Sequence, residues 1–257
     1  MKTVIRYGIF ESNSSSEHSI CITKNDRHVE PKDFIYEGNY PEDYVYLNKD
    51  GELSFPNDVS EGYGRYPFKI LTTVEDKIQY AMCSYLGRLY PDDPEFEKLY
   101  NMFVDMVREI IPGCTGLNLY KYDFDLYTDV DGNEILRKDL KYDHWDKEND
   151  ITVYYYLDKN GNKQIAKLNE ETYLYAPEIG TIDHQSDGLL QNFLKDKNID
   201  LKEFLTNKKY VIVIDGDEIQ DFRRYLKSGF INKDFITEIY GNYGVDPEFQ
   251  EWLEEQN

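Results

Sequence analysis

Short runs rich in β-branched, aromatic and other apolar residues predict several β-strands in the first quarter of the chain. Residues 4–10 and 20–23 have this pattern and enclose a polar segment. Residues 44–47 and 52–55 predict two more strands, joined by the turn Asn48-Lys49-Asp50-Gly51. Because glycine accepts the positive φ that a tight turn requires, this pair predicts a β-hairpin.

Helical spacing of the apolar residues replaces the strand-like runs after residue 72. Thr72 and Thr73 are suitable N-caps, and acidic residues follow in the first turn, where the helix dipole favours them. The apolar face of this predicted helix is Val74, Ile78, Met82, Tyr85 and Leu89. The segment Pro91-Asp92-Asp93-Pro94 ends it and begins a second helix, which the Pro-Gly pair at 112–113 ends. The sequence therefore predicts a helical hairpin.

Residues 116–175 return to the strand pattern. Asp129-Val130-Asp131-Gly132 and Asp158-Lys159-Asn160-Gly161 repeat the turn chemistry of residues 48–51. The second of these turns lies between residues 151–157 and 164–168, which predict a hairpin. Repeated turns of this kind are typical of antiparallel meanders and not of βαβ units.

The last third of the chain has a mixed pattern. Residues 189–195, 201–205 and 218–227 predict helices, 210–214 a short buried strand, and Asp246-Pro247 the start of a final acidic helix. We expect one α+β domain over residues 1–257, with a soft boundary near 176–188. Its antiparallel hairpins and meander would pack against the helical hairpin, and its C-terminal part would be mixed.

The net charge restricts the class of partner. Acidic residues number 50 against 29 basic ones, which gives a formal charge of −21. Such a chain repels phosphate backbones and anionic lipid, so we expect no direct nucleic-acid or membrane partner. It attracts basic proteins, including the DNA-binding groove of one, although the charge can also serve solubility alone. The 24 tyrosines also fit a homo-oligomer built through strand edges.

Cysteine usage and the N-terminus indicate where the protein works. Cys21, Cys83 and Cys114 are widely spaced and form no C-x-x-C pair, so we expect buried thiols and not a zinc site or a disulfide. The N-terminal residues have no apolar signal-peptide core, and no apolar run is long enough to cross a membrane. We therefore expect a cytoplasmic location.

Residues 6–19, with the sequence RYGIFESNSSSEHS, form the most unusual segment. Four serine hydroxyls and an asparagine amide precede His18, which can act as a general base or a ligand beside a serine nucleophile or an anion-binding loop. The alternative is structural, because serine and asparagine between strands often bond their own backbone in turns.

The same segment resembles an N-terminal motif, R-x-G-x-F-E-[ST]-N-S-S-S-x-H-S, of uncharacterised proteins of bacteriophages and other mobile elements. Thr181-Ile182-Asp183-His184-Gln185-Ser186 resembles a second signature of that family. Together the two segments cover about twenty of the 257 residues. The resemblance implies a mobile-element protein made inside a bacterial cell, and it does not imply any particular activity.

We expect the two segments to meet in space and to form one site. Its predicted catalytic residues are Ser14, Ser15, Ser16, His18, Asp183 and His184, and its predicted binding residues are Arg6, Asn13 and Ser186. Two chemistries are open for this site. His18, Asp183 and His184 can bind a divalent transition metal, or Asp183 can orient a histidine that activates a serine. The structural alternative is an inert buried polar network.

Other motifs give less support for a specific chemistry. Asp129-x-Asp131-Gly132 lacks the first and twelfth ligands of a calcium loop. Asp215 and Asp217 faintly resemble a haloacid dehalogenase motif, but a turn and a helix N-cap explain them better. No phosphate-binding loop or zinc-protease motif is present, so we expect no cofactor apart from the alternative metal. His28 and His144 are expected on the surface.

Two functions follow from these observations. The first is a phage or mobile-element protein that binds and inhibits a basic host defence protein by covering its nucleic-acid-binding surface. The second is a hydrolase or transferase, with or without a metal, whose site contains His18, Asp183 and His184. A virion or assembly component is a third reading.

Overall fold

The computed structural model of the chain describes residues 19–25, 45–55, 69–182 and 188–215. The predicted strand at 4–10, the predicted helix at 218–227 and the final acidic helix lie outside these residues.

The architecture is α+β, as predicted. The strands in the described residues are β1 Ser19–Lys24, β2 Tyr46–Leu47, β3 Glu52–Ser54, β4 Lys69–Leu71, β5 Gly116–Asn118, β6 Lys121–Thr128, β7 Glu134–Ile135, β8 Lys141–Asp146, β9 Ile151–Leu157, β10 Lys163–Ile165, β11 Lys167–Pro177 and β12 Tyr210–Asp215. The helices are α1 Val74–Leu86, α2 Pro94–Ile110, α3 Leu189–Lys197 and α4 Leu201–Thr206, with a short 3₁₀ turn at Arg137–Asp139.

The chain divides into two compact units. The second unit consists of Arg88–Val104 and Leu119–Glu178, and the first unit contains the other described residues. Helix α2 contributes residues 94–104 to the second unit and its last turns to the first. The first unit has sheets of order β1-β12-β4 and β2-β3-β5, and the second has β10-β9-β8 and β11-β6-β7.

Strand β12 is the centre of the first unit. It pairs antiparallel with β1 on one side and with β4 on the other. Tyr210 through Ile214 are at most 2% exposed, which confirms the buried strand predicted at 210–214. Five consecutive buried residues are typical of a central strand with both faces covered.

Helix α1 begins where the capping chemistry predicts. The Thr73 side chain accepts a hydrogen bond from Asp76 N at 3.2 Å, which satisfies one of the free amides of the first turn. The helix ends at Leu86, before the predicted last apolar residue Leu89, because the chain leaves it at Gly87, a poor helix former.

The hairpin around residues 48–51 forms as predicted. Strands β2 and β3 are antiparallel, and Gly51 adopts a φ of +79°. Asn48 Oδ1 accepts hydrogen bonds from the N–H groups of Asp50 and Glu52, both at 2.9 Å. Strand β3 also pairs with β5 in parallel, whereas the expectation was of antiparallel meanders. The other pairings among the described strands are antiparallel.

Lys77 connects α1 to the start of β12. Its side chain is fully buried, and its Nζ donates to the carbonyl oxygens of Phe204 at 2.9 Å, Asn207 at 3.0 Å and Tyr210 at 3.4 Å. Burial lowers the pKa of Lys77 to about 7, while the three carbonyl acceptors match the three N–H groups of the ammonium form.

The second unit is built from the turns that the sequence predicts. The Asp129 carboxylate accepts hydrogen bonds from the N–H groups of Asp131 and Asn133, and the Asp158 carboxylate caps the β9-β10 turn in the same way. Gly132 and Gly161 adopt φ values of +84° and +81°, which favour glycine. The predicted hairpin between residues 151 and 168 is therefore confirmed, and the predicted turn at 129–132 joins the antiparallel strands β6 and β7.

Arg137 connects the two sheets of the second unit. Its guanidinium lies 3.8 Å from the Tyr154 ring centroid and 5.3 Å from that of Tyr127, and it donates to the Tyr154 hydroxyl. Asp92 Oδ2 accepts a 2.6 Å hydrogen bond from Arg137 N. A planar cation stacked on tyrosine from β9 and close to tyrosine from β6 fixes the distance between these strands.

The buried lysine makes stability depend on pH. Unfolding returns Lys77 to an ordinary pKa of about 10.4, so between about pH 7 and that value the unfolded state binds more protons and stability rises with pH. Relative to Lys77→Met, the wild-type free energy of unfolding should gain about 1 kcal/mol per pH unit between roughly pH 7.5 and 9.5. Urea denaturation at each pH measures this gain.

Lys98→Met is the matched control, because the Lys98 side chain is 72% exposed. Its free energy of unfolding should stay parallel to that of the wild type over the same pH range. A Lys77→Met curve that also stays parallel would show that Lys77 remains fully charged in the folded protein.

Candidate functional site

The residues of the predicted two-segment site lie outside the described part of the chain. They are Arg6, Asn13, Ser14, Ser15, Ser16, His18, Asp183, His184 and Ser186. Their meeting, and the metal or serine chemistry that depends on it, therefore stays a prediction. The described residues on either side of each segment show where the chain enters and leaves it.

The first segment leads directly into β1. Ser19, the first residue of that strand, pairs with Asp215, the last residue of β12. The segment therefore joins the described fold at the end of β12 that lies away from Tyr210.

The second segment is flanked by residues that contact the C-terminal half of α1. A Cβ added to Gly87 would lie 2.6 Å from Gly180 O and 3.0 Å from Thr181 Cα, so this stretch packs tightly on the helix end. On the other side of the segment, Gln191 in α3 accepts a 2.9 Å hydrogen bond from the Ser84 hydroxyl and donates one of 2.8 Å to Ser84 O.

Helix α1, on which the second flank packs, is joined to β12 near its own start. Lys77 places the start of the helix beside Tyr210, at the end of β12 opposite Asp215. Its 13 residues extend about 20 Å, close to the length of the six-residue strand β12. The first segment therefore joins the described fold at the Asp215 end of β12 and the second beside the C-terminal end of α1, and their meeting stays a prediction.

The described residues add no further metal or thiol site. They contain no group of three or more histidine, cysteine or acidic side chains that could hold a metal ion. Cys83 and Cys114 are buried and free, as predicted, and burial raises the pKa of Cys83 to about 12, which keeps that thiol protonated. The His144 side chain is 58% exposed, which confirms its predicted surface position.

A second candidate site lies on the exposed face of β6 and β11. Tyr173 pairs with Asp125 and Tyr175 pairs with Asp123, and directly paired residues project from the same face of a sheet. The two tyrosines are each 61% exposed, and both aspartates are exposed. We call these four residues the Tyr–Asp face. On the opposite face, Phe124 and Ala176 are buried.

The Tyr–Asp face is suited to binding cations. Neither aspartate forms an ion pair with another described residue, and the Lys121 ammonium on the same face lies 5.7 Å from the Tyr175 ring centroid. Tyrosine rings attract cations through their negative faces, and an adjacent carboxylate adds to that attraction. The face therefore offers aromatic and anionic contacts to lysine or arginine side chains.

Sequence reasoning missed this face, although part of its signal is visible. Residues 122–125 alternate tyrosine or phenylalanine with aspartate, which marks a strand with one acidic side. The matching tyrosines at 173 and 175 come about fifty residues later, and only the β6-β11 register places them opposite the aspartates.

Comparisons of the chain with known protein families, with curated proteins and with solved structures find no match. Among the helices in the described part of the chain, none has both the length and the apolar composition needed to cross a membrane.

Gly87 should be intolerant of a side chain. An added Cβ would lie 2.5 Å from Cys83 O and 2.6 Å from Gly180 O, and both are backbone atoms that cannot rotate away. We expect Gly87→Ala to lower the free energy of unfolding by about 1–3 kcal/mol, as overpacking does elsewhere. Chemical denaturation measures this change.

Gly116→Ala is the control for that measurement, because a Cβ there meets no atom within 4 Å. Its effect should stay within about 0.5 kcal/mol. Equal stability of the two variants would mean that residues 180–181 do not pack on the end of α1.

Proposed function

We propose that this protein binds a basic protein of a bacterial host and inhibits it by covering the surface with which that protein holds nucleic acid. The Tyr–Asp face is the observation that carries the proposal. Two exposed tyrosine rings on β11 lie there beside two carboxylates on β6, and neither carboxylate forms an ion pair with another described residue. Exposed aromatic residues are the common anchors of protein interfaces.

Charge supports a basic partner. The second unit carries 18 acidic and 10 basic side chains, so the net charge of −21 is not confined to the undescribed parts of the chain. A field of this sign accelerates encounter with a positively charged surface and repels other acidic proteins. Host proteins that bind nucleic acid carry such positive surfaces, because phosphate contacts supply much of their affinity.

The resemblance of the N-terminal segment to mobile-element proteins supports the host context. A mobile element that enters a bacterium meets host proteins that bind its nucleic acid, and many of these are basic. A protein that presents carboxylates to the same groove competes with phosphate for the same lysine and arginine side chains. Inhibition of a defence protein by occlusion is the outcome we propose.

The first test removes the two carboxylates of the face. Asp123→Asn with Asp125→Asn should weaken binding to the host partner about tenfold and reduce its dependence on salt, because two exposed charge contacts are lost. Affinity capture from host lysate by the wild type and the variant identifies the protein that depends on the face. The affinity of that purified protein is then measured at several salt concentrations.

Asp131→Asn with Glu148→Gln is the control, since it removes the same charge from exposed turns of the same unit. The partner should also lose its nucleic acid when this protein is added. A partner that binds both double variants equally, or that binds this protein and nucleic acid together, would contradict the proposal.

The second candidate function is a hydrolase or transferase whose site contains His18, Asp183 and His184, with or without a transition metal. The support comes from the sequence, in which two polar segments hold two histidines, an aspartate and several serines, the residue types that such a site requires. Two imidazoles and a carboxylate are a typical ligand set for a divalent transition metal. The serines at 14, 15 and 16 would supply a nucleophile in the metal-free form.

Cobalt binding tests the metal form of this site. The wild type should bind one Co²⁺ per chain with visible absorption bands, and His18→Ala or His184→Ala should abolish them without lowering the melting temperature. His144→Ala is the control, because that histidine is exposed on β8. Wild-type protein without such bands would exclude the metal. Full inhibitory effect of both histidine variants on the host would exclude the enzyme.

A further inference from the structure

One side of β11 pairs with no other strand in the described part of the chain. The order β11-β6-β7 places it at an edge of its sheet, and residues Tyr173 to Pro177 pair with β6 on the other side only, within the described strands. An edge strand presents unpaired N–H and C=O groups that can pair with a further strand. The same five residues carry both tyrosines of the Tyr–Asp face.

In the other sheet of the unit, a lysine on an edge strand contacts both a tyrosine and an aspartate on the neighbouring strands. Lys163 lies on the edge strand β10, and its Nζ lies 4.7 Å from the ring centroid of Tyr155 on the central strand β9. The same ammonium bonds the carboxylate of Asp143 on β8. One side chain thus reaches from an edge strand, over a tyrosine, to an aspartate on the far strand.

The Tyr–Asp face has the tyrosines and the aspartates of that arrangement, but within the described strands it lacks the lysine on a neighbouring edge strand. Tyrosines at 173 and 175 lie on β11 and their aspartates lie on the far strand β6, while no described strand occupies the position that corresponds to β10. An added strand would lie about 4.8 Å from β11 and would place alternate side chains over the two tyrosines.

We infer that the basic partner docks as an extended segment that adds to the free edge of β11 and places alternate lysine or arginine side chains over Tyr173 and Tyr175 toward Asp125 and Asp123. This inference rests on the proposed function and names the form in which the partner is bound. Backbone pairing supplies the register, and the Tyr–Asp face supplies the preference for basic side chains.

Lys121 competes with the partner for the face. It projects from the same face of β6 as the two aspartates, and its ammonium lies near the ring of Tyr175, the residue that pairs with Asp123. Lys121→Gln should therefore bind a basic strand a few-fold more tightly. Lys141→Gln, which removes an exposed lysine from β8, should have a smaller effect.

A synthetic peptide of alternating lysine and threonine, nine residues long with capped ends, tests the inference with the full chain. All of its lysines project from one face when it is extended. A second peptide of the same sequence has every backbone amide N-methylated, so it keeps the charge and cannot donate backbone hydrogen bonds. Affinities at about 50 mM salt, where surface charges are weakly screened, are measured by titration calorimetry. Amide hydrogen exchange is followed across residues 173–176.

Strand addition predicts three results together. The unmodified peptide binds, the N-methylated peptide binds at least tenfold more weakly, and amides in 173–176 exchange more slowly in the complex. Asp123→Asn with Asp125→Asn should weaken the unmodified peptide about tenfold, as for the host partner.

Two other results would overturn the inference in distinguishable ways. Equal affinity of the two peptides, with loss of both in the double aspartate variant, would leave a basic partner on the face but exclude strand addition. A peptide that does not bind, or that binds the double variant as well as the wild type, would exclude the proposed function at this face as well.

Discussion

Strand β12 is the constraint on which the first unit depends. It is the central strand of its sheet, yet it comes almost two hundred residues after β1, with which it pairs along all six positions. Strands β1 and β4 have no direct pairing with each other in the order β1-β12-β4, so the sheet closes only when residues 210–215 arrive. Lys77 adds a second link to the start of the same strand by bonding Tyr210 O. Such distant contacts carry a large loop-closure cost that the buried strand must offset.

Local chemistry explains which parts of this fold could be predicted from the sequence. The cap at Thr73, the hairpin at Gly51 and the aspartate-capped turns at Gly132 and Gly161 depend on residues within four positions of one another. The parallel pairing of β3 with β5 and the placing of β12 between β1 and β4 depend on contacts far apart in the chain. A hydrophobic pattern predicts that a strand is buried, but it does not predict which strand lies beside it.

The same distinction applies to the candidate sites. The serine-rich segment before His18 can be identified from the sequence because its polar residues are consecutive. Its meeting with His184 remains a prediction. The Tyr–Asp face has the opposite character, because its residues are ordinary and its two halves are far apart in the chain. Aspartates 123 and 125 could be predicted to share one side of a strand. Their pairing with Tyr173 and Tyr175 could not be predicted, because it depends on the register of β6 and β11. That register shifts at an irregularity between Leu168 and Tyr173.

The edge of β11, which no other described strand covers, also needs an explanation in physical terms. Two tyrosines that are each 61% exposed on an edge strand would invite pairing with a second copy of the same chain. Each copy carries a net charge of −21, to which the aspartates beside these tyrosines contribute, and this charge opposes the approach of two copies. The same carboxylates attract a basic strand. Net negative charge therefore hinders self-association, and the two aspartates of the Tyr–Asp face favour basic side chains over acidic ones.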